Sequence, residues 1–380
     1  MDFRPTPEMD AVRSEIRELL AAVFPPDWQG SGFLPMDVRP EHRDLSRRLD
    51  AALAERGLLA PAWPRDYGGR GLSPFEQFAL YEELGYALAP RMTTISVDLV
   101  GPVLILYGSD DQRRTHLPAI ARDAAIWCQG FSEPAAGSDL TSLTTRAERR
   151  GDVYVVNGHK IWTSMAHWAS WLVLLARTGE PESRGRGLSL FLLSVDSPGI
   201  EVRPLYDATD EHMLNEVFFE DVQVPVANRV GQENEGWRYA TTLLQYERGD
   251  ALFIGQFRRL LDELRAAIGS STALARAAVE LEVGRQLTLR VVSLQAKGDL
   301  PDREASQAKL FMSEAYQRLG AVAHHLSGLA GNLTHRDSRV PLGGRVMQSY
   351  LSSTTATLIA GTSEVQRTVI ATRGLGLPRG

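Results

Sequence analysis

Gln129-Gly130-Phe131-Ser132-Glu133-Pro134-Ala135-Ala136-Gly137-Ser138-Asp139 reads as an apolar strand that ends in a turn of hydroxyls, small residues and proline. It is answered by Asn157-Gly158-His159-Lys160-Ile161-Trp162-Thr163-Ser164, a tight Asn-Gly turn feeding a strand that carries Trp162 beside hydroxyl residues. Taken alone, the first stretch is only a turn signal. Taken together, the two describe a polar and aromatic shelf. Backbone N–H groups and the Ser132 and Ser164 hydroxyls can satisfy the edge of a flat heterocycle, with the Trp162 indole packed on it.

Working outward, the chain changes character twice. Residues 1 to about 124 read as helical, with candidates at 8–24, 40–57, 74–88 and 94–108 and a short helix ending at Leu117-Pro118. Pro25-Pro26, the Pro61 to Pro64 stretch with Gly68-Gly69, and Pro90 punctuate them. From 125 to 230, strand-like runs fall at 125–132, 143–149, 153–157, 160–165, 170–177, 187–195 and 215–224. So many short strands predict a compact antiparallel β domain. From 231 to 380 helices return, at 235–267, 271–297, 302–329 and 343–372, the last broken near Gly361. Long helices on short loops predict a bundle. The expected fold class is therefore α+β: an N-terminal helical domain (1–124), a middle antiparallel β domain (125–230) and a C-terminal four-helix bundle (231–380).

Composition narrows the function. The 380 residues carry 41 basic and 47 acidic side chains, a net charge of −6, so no global field draws the chain to nucleic acid or an anionic membrane. No apolar run approaches the roughly 18 residues that a membrane span needs. Cys128 is the only cysteine, which excludes an intrachain disulfide and suits a reducing, cytoplasmic setting. The first residues place Met9, Val12, Ile16, Leu19, Leu20 and Val23 on one helical face rather than in a secretory core.

The paired motifs and the α–β–α order resemble the acyl-CoA dehydrogenase family, in which a helical domain, a β domain and a bundle enclose FAD. The resemblance implies removal of a proton next to a thioester carbonyl and passage of a hydride from the β carbon to the flavin. It places Gln129, Phe131, Ser132, Trp162 and Ser164 against the flavin, and Ser138 against the substrate's carrier arm. Thr362 and Glu364, in the last motif, join the cofactor set, and Arg248 the substrate side. Gln129 stands where an aromatic residue is common.

The expected base departs from the usual pattern. Many relatives carry a Glu immediately before the Gly-Thr of the last motif. Here the motif reads Leu358-Ile359-Ala360-Gly361-Thr362-Ser363-Glu364-Val365-Gln366-Arg367, and a methyl group cannot take a proton. Other relatives place the base on the first bundle helix in a Glu-Arg pair, which this chain has as Glu247-Arg248. Its neighbours Leu243, Leu244, Tyr246, Leu252 and Phe253 make an apolar setting that would raise a carboxylate's pKa toward working pH. Ala360 keeps a backbone N–H with which to polarise the thioester carbonyl. Arg248 lies about 100° round the helix from Glu247, suited to holding a loop or a neighbouring helix.

Motifs for the adenosine half of the cofactor are absent, since the region reads Ile268-Gly269-Ser270-Ser271-Thr272-Ala273-Leu274-Ala275-Arg276. The usual Gly-rich turn has become Gly328-Leu329-Ala330-Gly331. By resemblance this points to a homo-oligomer, or to a mixed oligomer with a related subunit that shares the flavin. His324-His325 is not expected to bind metal, because adjacent helical residues point about 100° apart. The expected partners are an acyl thioester, on CoA or a carrier protein, and an electron-transfer flavoprotein or similar acceptor. Two alternatives stay open: a flavin monooxygenase on the same fold, or a less active partner subunit of a mixed oligomer.

Overall fold

The computed structural model describes residues 4–30, 39–123, 125–246, 251–299, 301–335 and 337–378. In chain order the helices and strands begin with α1 (Pro7–Val23), α2 (Arg43–Glu55) and α3 (Pro74–Tyr86). A π-helix (Ile95–Val100), α4 (Gly101–Tyr107) and α5 (Asp110–Asp123) follow. The strands are β1 (Trp127–Gly130), β2 (Arg146–Arg150), β3 (Val153–Lys160), β4 (Trp171–Arg177), β5 (Leu188–Ser194), β6 (Ile200–Leu205), β7 (Leu214–Pro225) and β8 (Arg229–Val230). The chain closes with α6 (Gly236–Tyr246), α7 (Ala251–Ile268), α8 (Thr272–Gln295), α9 (Asp302–Leu326), α10 (Arg345–Ala356) and α11 (Ser363–Val369). Its internal contacts divide it into two units. One takes 1–49, 71–90 and 248–380, the other 50–70 and 91–247.

In the first unit, helix starts are written in the sequence. Thr6 caps α1 by accepting the Met9 N–H, with Pro7 in the first turn, where its missing N–H costs nothing. Ser73 and Glu76 close a capping box on α3, again with Pro at the start. The apolar stripe Met9, Val12, Ile16, Leu19 and Leu20 of α1 is buried. α3 and α7 cross at two glycines. A Cβ on Gly85 would stand 2.2 Å from the Leu252 carbonyl oxygen, and one on Gly255 would stand 2.2 Å from that of Glu82. Beside this crossing Glu82 and Glu83 are buried but held by Arg13, Arg17, Arg258 and Arg285, so neither carboxylate is left uncompensated.

The second unit is built on an eight-stranded sheet in the order β6-β7-β3-β2-β4-β5-β8, with β1 beside β4. Pairing is antiparallel except where β1 runs parallel to β4, from Trp127 opposite Trp171 to Gly130 opposite Leu174, and at the single parallel pair Arg146–Arg177. β4 is buried on both faces, with Leu172 to Ala176 all at or below 1% exposure, so it shows no polar alternation. Cys128 sits in this core with Tyr154, Val156, Phe191 and Val217, and burial pushes its thiol pKa up, which leaves it unreactive. Asp50 and Arg91, in the same unit, are also buried. Burial raises the Asp50 pKa to about 7 against the opposing pull of Arg91 and Thr93.

Several expectations need correction. α5 runs through Pro118 instead of ending there, because Leu117, Ile120 and Ala121 are buried and their packing offsets the lost hydrogen bond. Asn157-Gly158 is not a turn. It lies inside β3, where the register against β7 shifts between Val156 and Gly158, a β-bulge. The Asn157 side chain donates to Asp221 Oδ1 at 2.9 Å and accepts the Asp221 N–H at 2.9 Å, fixing the bulge. The strand expected at 160–165 therefore stops at Lys160, and residues 161–165 leave the sheet. β6 and β8 carried no signal that marked them in advance.

Candidate active site

The two motifs lie side by side in the second unit. β1 carries Gln129, and Phe131 and Ser132 follow its end. The Ile161 N–H donates to the Ser132 carbonyl at 3.0 Å, which joins the first stretch to the second. Phe131 is buried, Gln129, Ser132 and Ser164 are half-buried, and Trp162 is 59% exposed. The indole face is therefore open for a flat group to lie against.

Below the shelf is a buried ion pair. Lys160 Nζ donates to the Phe131 carbonyl at 2.9 Å and to Glu133 Oε1 at 2.9 Å. Glu133 also accepts from the Thr144 N–H, the Thr144 hydroxyl and the Thr145 N–H at 2.7–2.8 Å. Burial alone would raise the Glu133 pKa, but Lys160 and these bonds outweigh it and hold the carboxyl at about 2. Burial brings Lys160 down to about 8, against the attraction of Glu133. The pair thus locks the turn that presents Phe131 and Ser132.

Residues 161–165 are held in a strained path. Trp162 and Met165 have φ of +60° and +61°, a left-handed conformation that costs non-glycine residues about 1–3 kcal/mol each. The Thr163 N–H donates to the Asn215 carbonyl at 3.0 Å and the Met165 N–H to the Met213 carbonyl at 2.8 Å. Thr163 and Met165 are accordingly buried, while Trp162 stays exposed. Among the described residues, the side chains of Gln129, Ser132 and Ser164 make no hydrogen bond. A surface of open hydroxyls beside an uncovered indole fits a flat heterocycle with a polar edge, and so fits the ring system of FAD. Ser138 is exposed on the turn beyond, next to Asp139, whose carboxylate accepts from Arg184 at 2.6 and 2.8 Å.

The last motif lies in the first unit. Ala360 and Gly361 have φ of +52° and +84°, a left-handed turn between α10 and α11. Lys309 Nζ, buried on α9, donates to the Ala356 carbonyl at 3.1 Å and the Gly361 carbonyl at 2.8 Å. Gln366 Nε2 donates to the Ala360 carbonyl at 2.9 Å. With its carbonyls so tied, the turn has one orientation. Thr362 caps α11, its hydroxyl accepting the Val365 N–H at 3.2 Å. Glu364 is exposed in the first turn of α11, its pKa lowered by backbone N–H and Thr362 hydrogen bonds. Glu247 and Arg248 lie outside the described residues, between the end of α6 and the start of α7. His324 is used structurally, stacked on Tyr350 with a centroid distance of 4.5 Å and bonded to Asn332. Among the described residues no group of three or more His, Cys, Asp or Glu can hold a metal ion, and no helix is long and apolar enough to cross a membrane.

Comparison with known proteins decides the family. Sequence models of the acyl-CoA dehydrogenase N-terminal, middle and C-terminal domains match residues 6–124, 128–222 and 234–375. Acyl-CoA dehydrogenase IpdE1 of Mycolicibacterium smegmatis is 35% identical over 395 residues, covering 98% of each chain. The chain belongs to the acyl-CoA dehydrogenase family. Among solved structures, the Tcur3481-Tcur3483 steroid ACAD matches with a TM-score of 0.90 at 30% identity over 100% of both chains. The ChsE4-ChsE5 complex from Mycobacterium tuberculosis matches with a TM-score of 0.88 at 32% identity, again over 100% of both chains.

This acyl-CoA dehydrogenase is an FAD-dependent flavoprotein oxidoreductase that dehydrogenates an acyl thioester. Three supports of its candidate site escaped sequence reading: the Glu133–Lys160 pair, Asn215 and Lys309. Glu133 and Lys160 stand inside the quoted motifs, and a Lys at the end of the apolar run of β3 was their available signal. Asn215 and Lys309 bond to segments 52 residues away, and no local pattern marks either.

Proposed function

We propose that this acyl-CoA dehydrogenase takes the proton next to the thioester carbonyl with Glu247, and that its acyl group is a bulky fused-ring acid. The observation that carries the assignment of the base is Ala360. The side chain at the position usual for the base is a methyl group, in a turn tied by Lys309 and Gln366. The remaining carboxylate of the last motif, Glu364, is exposed and already stabilised as an anion at a helix start, which makes it a poor base. Glu247 in its apolar sequence context is the better proton acceptor.

In this reading the thioester oxygen accepts the Ala360 N–H, which draws charge from the carbonyl as the α proton leaves. FAD, when bound, supplies the acceptor for the hydride from the β carbon. Phe131, Ser132, Trp162 and Ser164 would hold its ring system, with Gln129 beside them and Thr362 and Glu364 toward the rest of the cofactor. Ser138 would meet the carrier arm and Arg248 would hold the substrate side. Electrons then leave for an electron-transfer flavoprotein or a similar carrier.

The fused-ring substrate is supported by the name of one structural neighbour, a steroid ACAD. Two neighbours carry the names of two proteins each, which supports a mixed oligomer with a related subunit. The test is stopped-flow flavin reduction with straight-chain and fused-ring thioesters, for the parent and Glu247→Gln. Fused-ring thioesters should bleach the flavin fastest, and Glu247→Gln should slow that step by about 10²–10⁴. Near-normal reduction by the variant would remove Glu247 from the mechanism. Oxygen uptake driven by a reduced-flavin donor, without bleaching by any thioester, would favour monooxygenation instead.

A further inference from the structure

Beneath residues 161–165 lies a polar cluster that the reaction itself does not require. Asn215 is the second residue of β7 and is fully buried. Its Nδ2 donates to the Thr163 carbonyl at 3.0 Å, while its own carbonyl accepts the Thr163 N–H at 3.0 Å. Its side chain also meets two histidines: Nδ2 lies 3.1 Å from His167 Nδ1, and Oδ1 lies 2.9 Å from His212 Nε2. The two imidazoles are stacked with centroids 4.0 Å apart, Trp168 packs on His167, and Tyr206 on His212.

These bonds fix one another. The Thr163 carbonyl can only accept, so the amide nitrogen must face it, and the amide oxygen must face His212. His212 then needs a hydrogen on Nε2, and His167 must present a bare Nδ1, its hydrogen on the other nitrogen. The amide therefore has one orientation and His167 one neutral tautomer. This interlock grips Thr163 by both backbone groups, between the left-handed Trp162 and the half-buried Ser164.

We infer that Asn215, clamped between His167 and His212, is a positioning residue that holds Trp162 at the angle needed to cover the flavin ring. The inference rests on the reading of Trp162 as part of the flavin shelf. Without the amide, Thr163 keeps only its N–H bond to the Asn215 carbonyl, and the left-handed path of its neighbour is held only by that bond and by those of the flanking Ile161 and Met165 N–H groups. Trp162 then has other orientations available, and part of the flavin affinity goes to restoring the productive one.

The test is a double-mutant cycle on the deflavinated full chain, read as the FAD dissociation constant and the absorption spectrum of the rebound flavin. Asn215→Leu keeps the volume and the backbone bonds, and should weaken FAD by about ten- to a hundredfold and alter the flavin spectrum. Trp162→Ala should weaken FAD as well. In the Trp162→Ala background, Asn215→Leu should add less than about twofold, because both act through the same indole. His167→Asn keeps an acceptor near Nδ1 and should hold FAD close to the parent, whereas His167→Leu should not. That pair also serves should Asn215→Leu fail to fold. Fully additive effects of Asn215 and Trp162, or His167→Asn and His167→Leu behaving alike, would overturn the inference. Unchanged FAD affinity in Trp162→Ala would instead remove the shelf reading beneath it.

Discussion

Lys160 Nζ lies 2.9 Å from Glu133 Oε1, with Lys160 0% and Glu133 6% exposed, and the same ammonium holds the Phe131 carbonyl. One cation thus ties the end of β3 to the turn after β1. Removing it leaves a buried carboxylate without its counter-ion, held only by the Thr144 and Thr145 donors. Lys160→Met should cost about 3–5 kcal/mol of unfolding free energy, measured by denaturant titration. Lys160→Met with Glu133→Gln should recover much of that loss, since no buried charge remains. Equal destabilisation by the single and double variants would show that the pair's charge is not what matters.

The same pair predicts an acid limb. Glu133 has an ordinary pKa of 4.5 and about 2 in the folded chain. Between these values the unfolded chain binds a proton that the folded chain does not, so stability rises with pH and is lost on acidification. The contribution of this carboxylate is complete above pH 4.5 and is lost as pH drops toward 2. In Glu133→Gln the plot of Tm against pH should be flatter in that window than in the parent. Parallel acid limbs would mean that other carboxylates control acid unfolding.

Lys309 supports the turn of Ala360 from beneath. Lys309→Met takes the side-chain donor from the Ala356 carbonyl, at about 1–3 kcal/mol if it stays buried, and leaves the Gly361 carbonyl with only the longer bond from Gln366 Nε2 at 3.3 Å. The expected result is a lowered Tm together with slower flavin reduction by thioester, because the Ala360 N–H is no longer aimed. A lowered Tm with the reduction rate intact would confine Lys309 to a structural role.

Gly158 allows the bulge in β3 to approach Thr145. A Cβ there would stand 2.4 Å from Thr145 Oγ1 and 2.7 Å from its Cα, and the backbone atom cannot move aside cheaply. Gly158→Ala should destabilise by at least the ~1–3 kcal/mol typical of overpacking. Gly137→Ala, where a Cβ meets nothing within 4 Å, should stay within about 0.5 kcal/mol of the parent. Comparable losses from the two substitutions would dismiss the steric account.

What could be read from the residues depended on how local the deciding interaction is. Helix starts at Thr6 and Ser73 and the break near Gly361 are set within a turn of the residue concerned, and they were legible. Asn157-Gly158 is a strong hairpin signal, yet Asp221, 64 residues away, decides that it is a bulge. β6 was missed because Ile200–Leu205 is only half-buried to exposed and contains Pro204, so neither apolar content nor alternation marks it. In the candidate site, the pairing of the two motifs predicts that residues near Ser132 and Ile161 meet. The supports beneath them, Asn215 and the Glu133–Lys160 pair, act through partners that sequence spacing does not reveal.

The glycine crossing of α3 and α7 bears on how this protein can be recombined. With no side chain between Gly85 and Leu252, or between Gly255 and Glu82, the helices have no slack to absorb a slip of register. A one-residue insertion within α7 would turn a bulkier neighbour by about 100° into the contact. A hybrid that borrows residues 74–86 from a relative should therefore also carry that relative's residues 251–268, although more than 160 residues separate them in the chain. The two segments are a single heritable module, and exchange points placed between them are expected to yield insoluble chains unless both are swapped together.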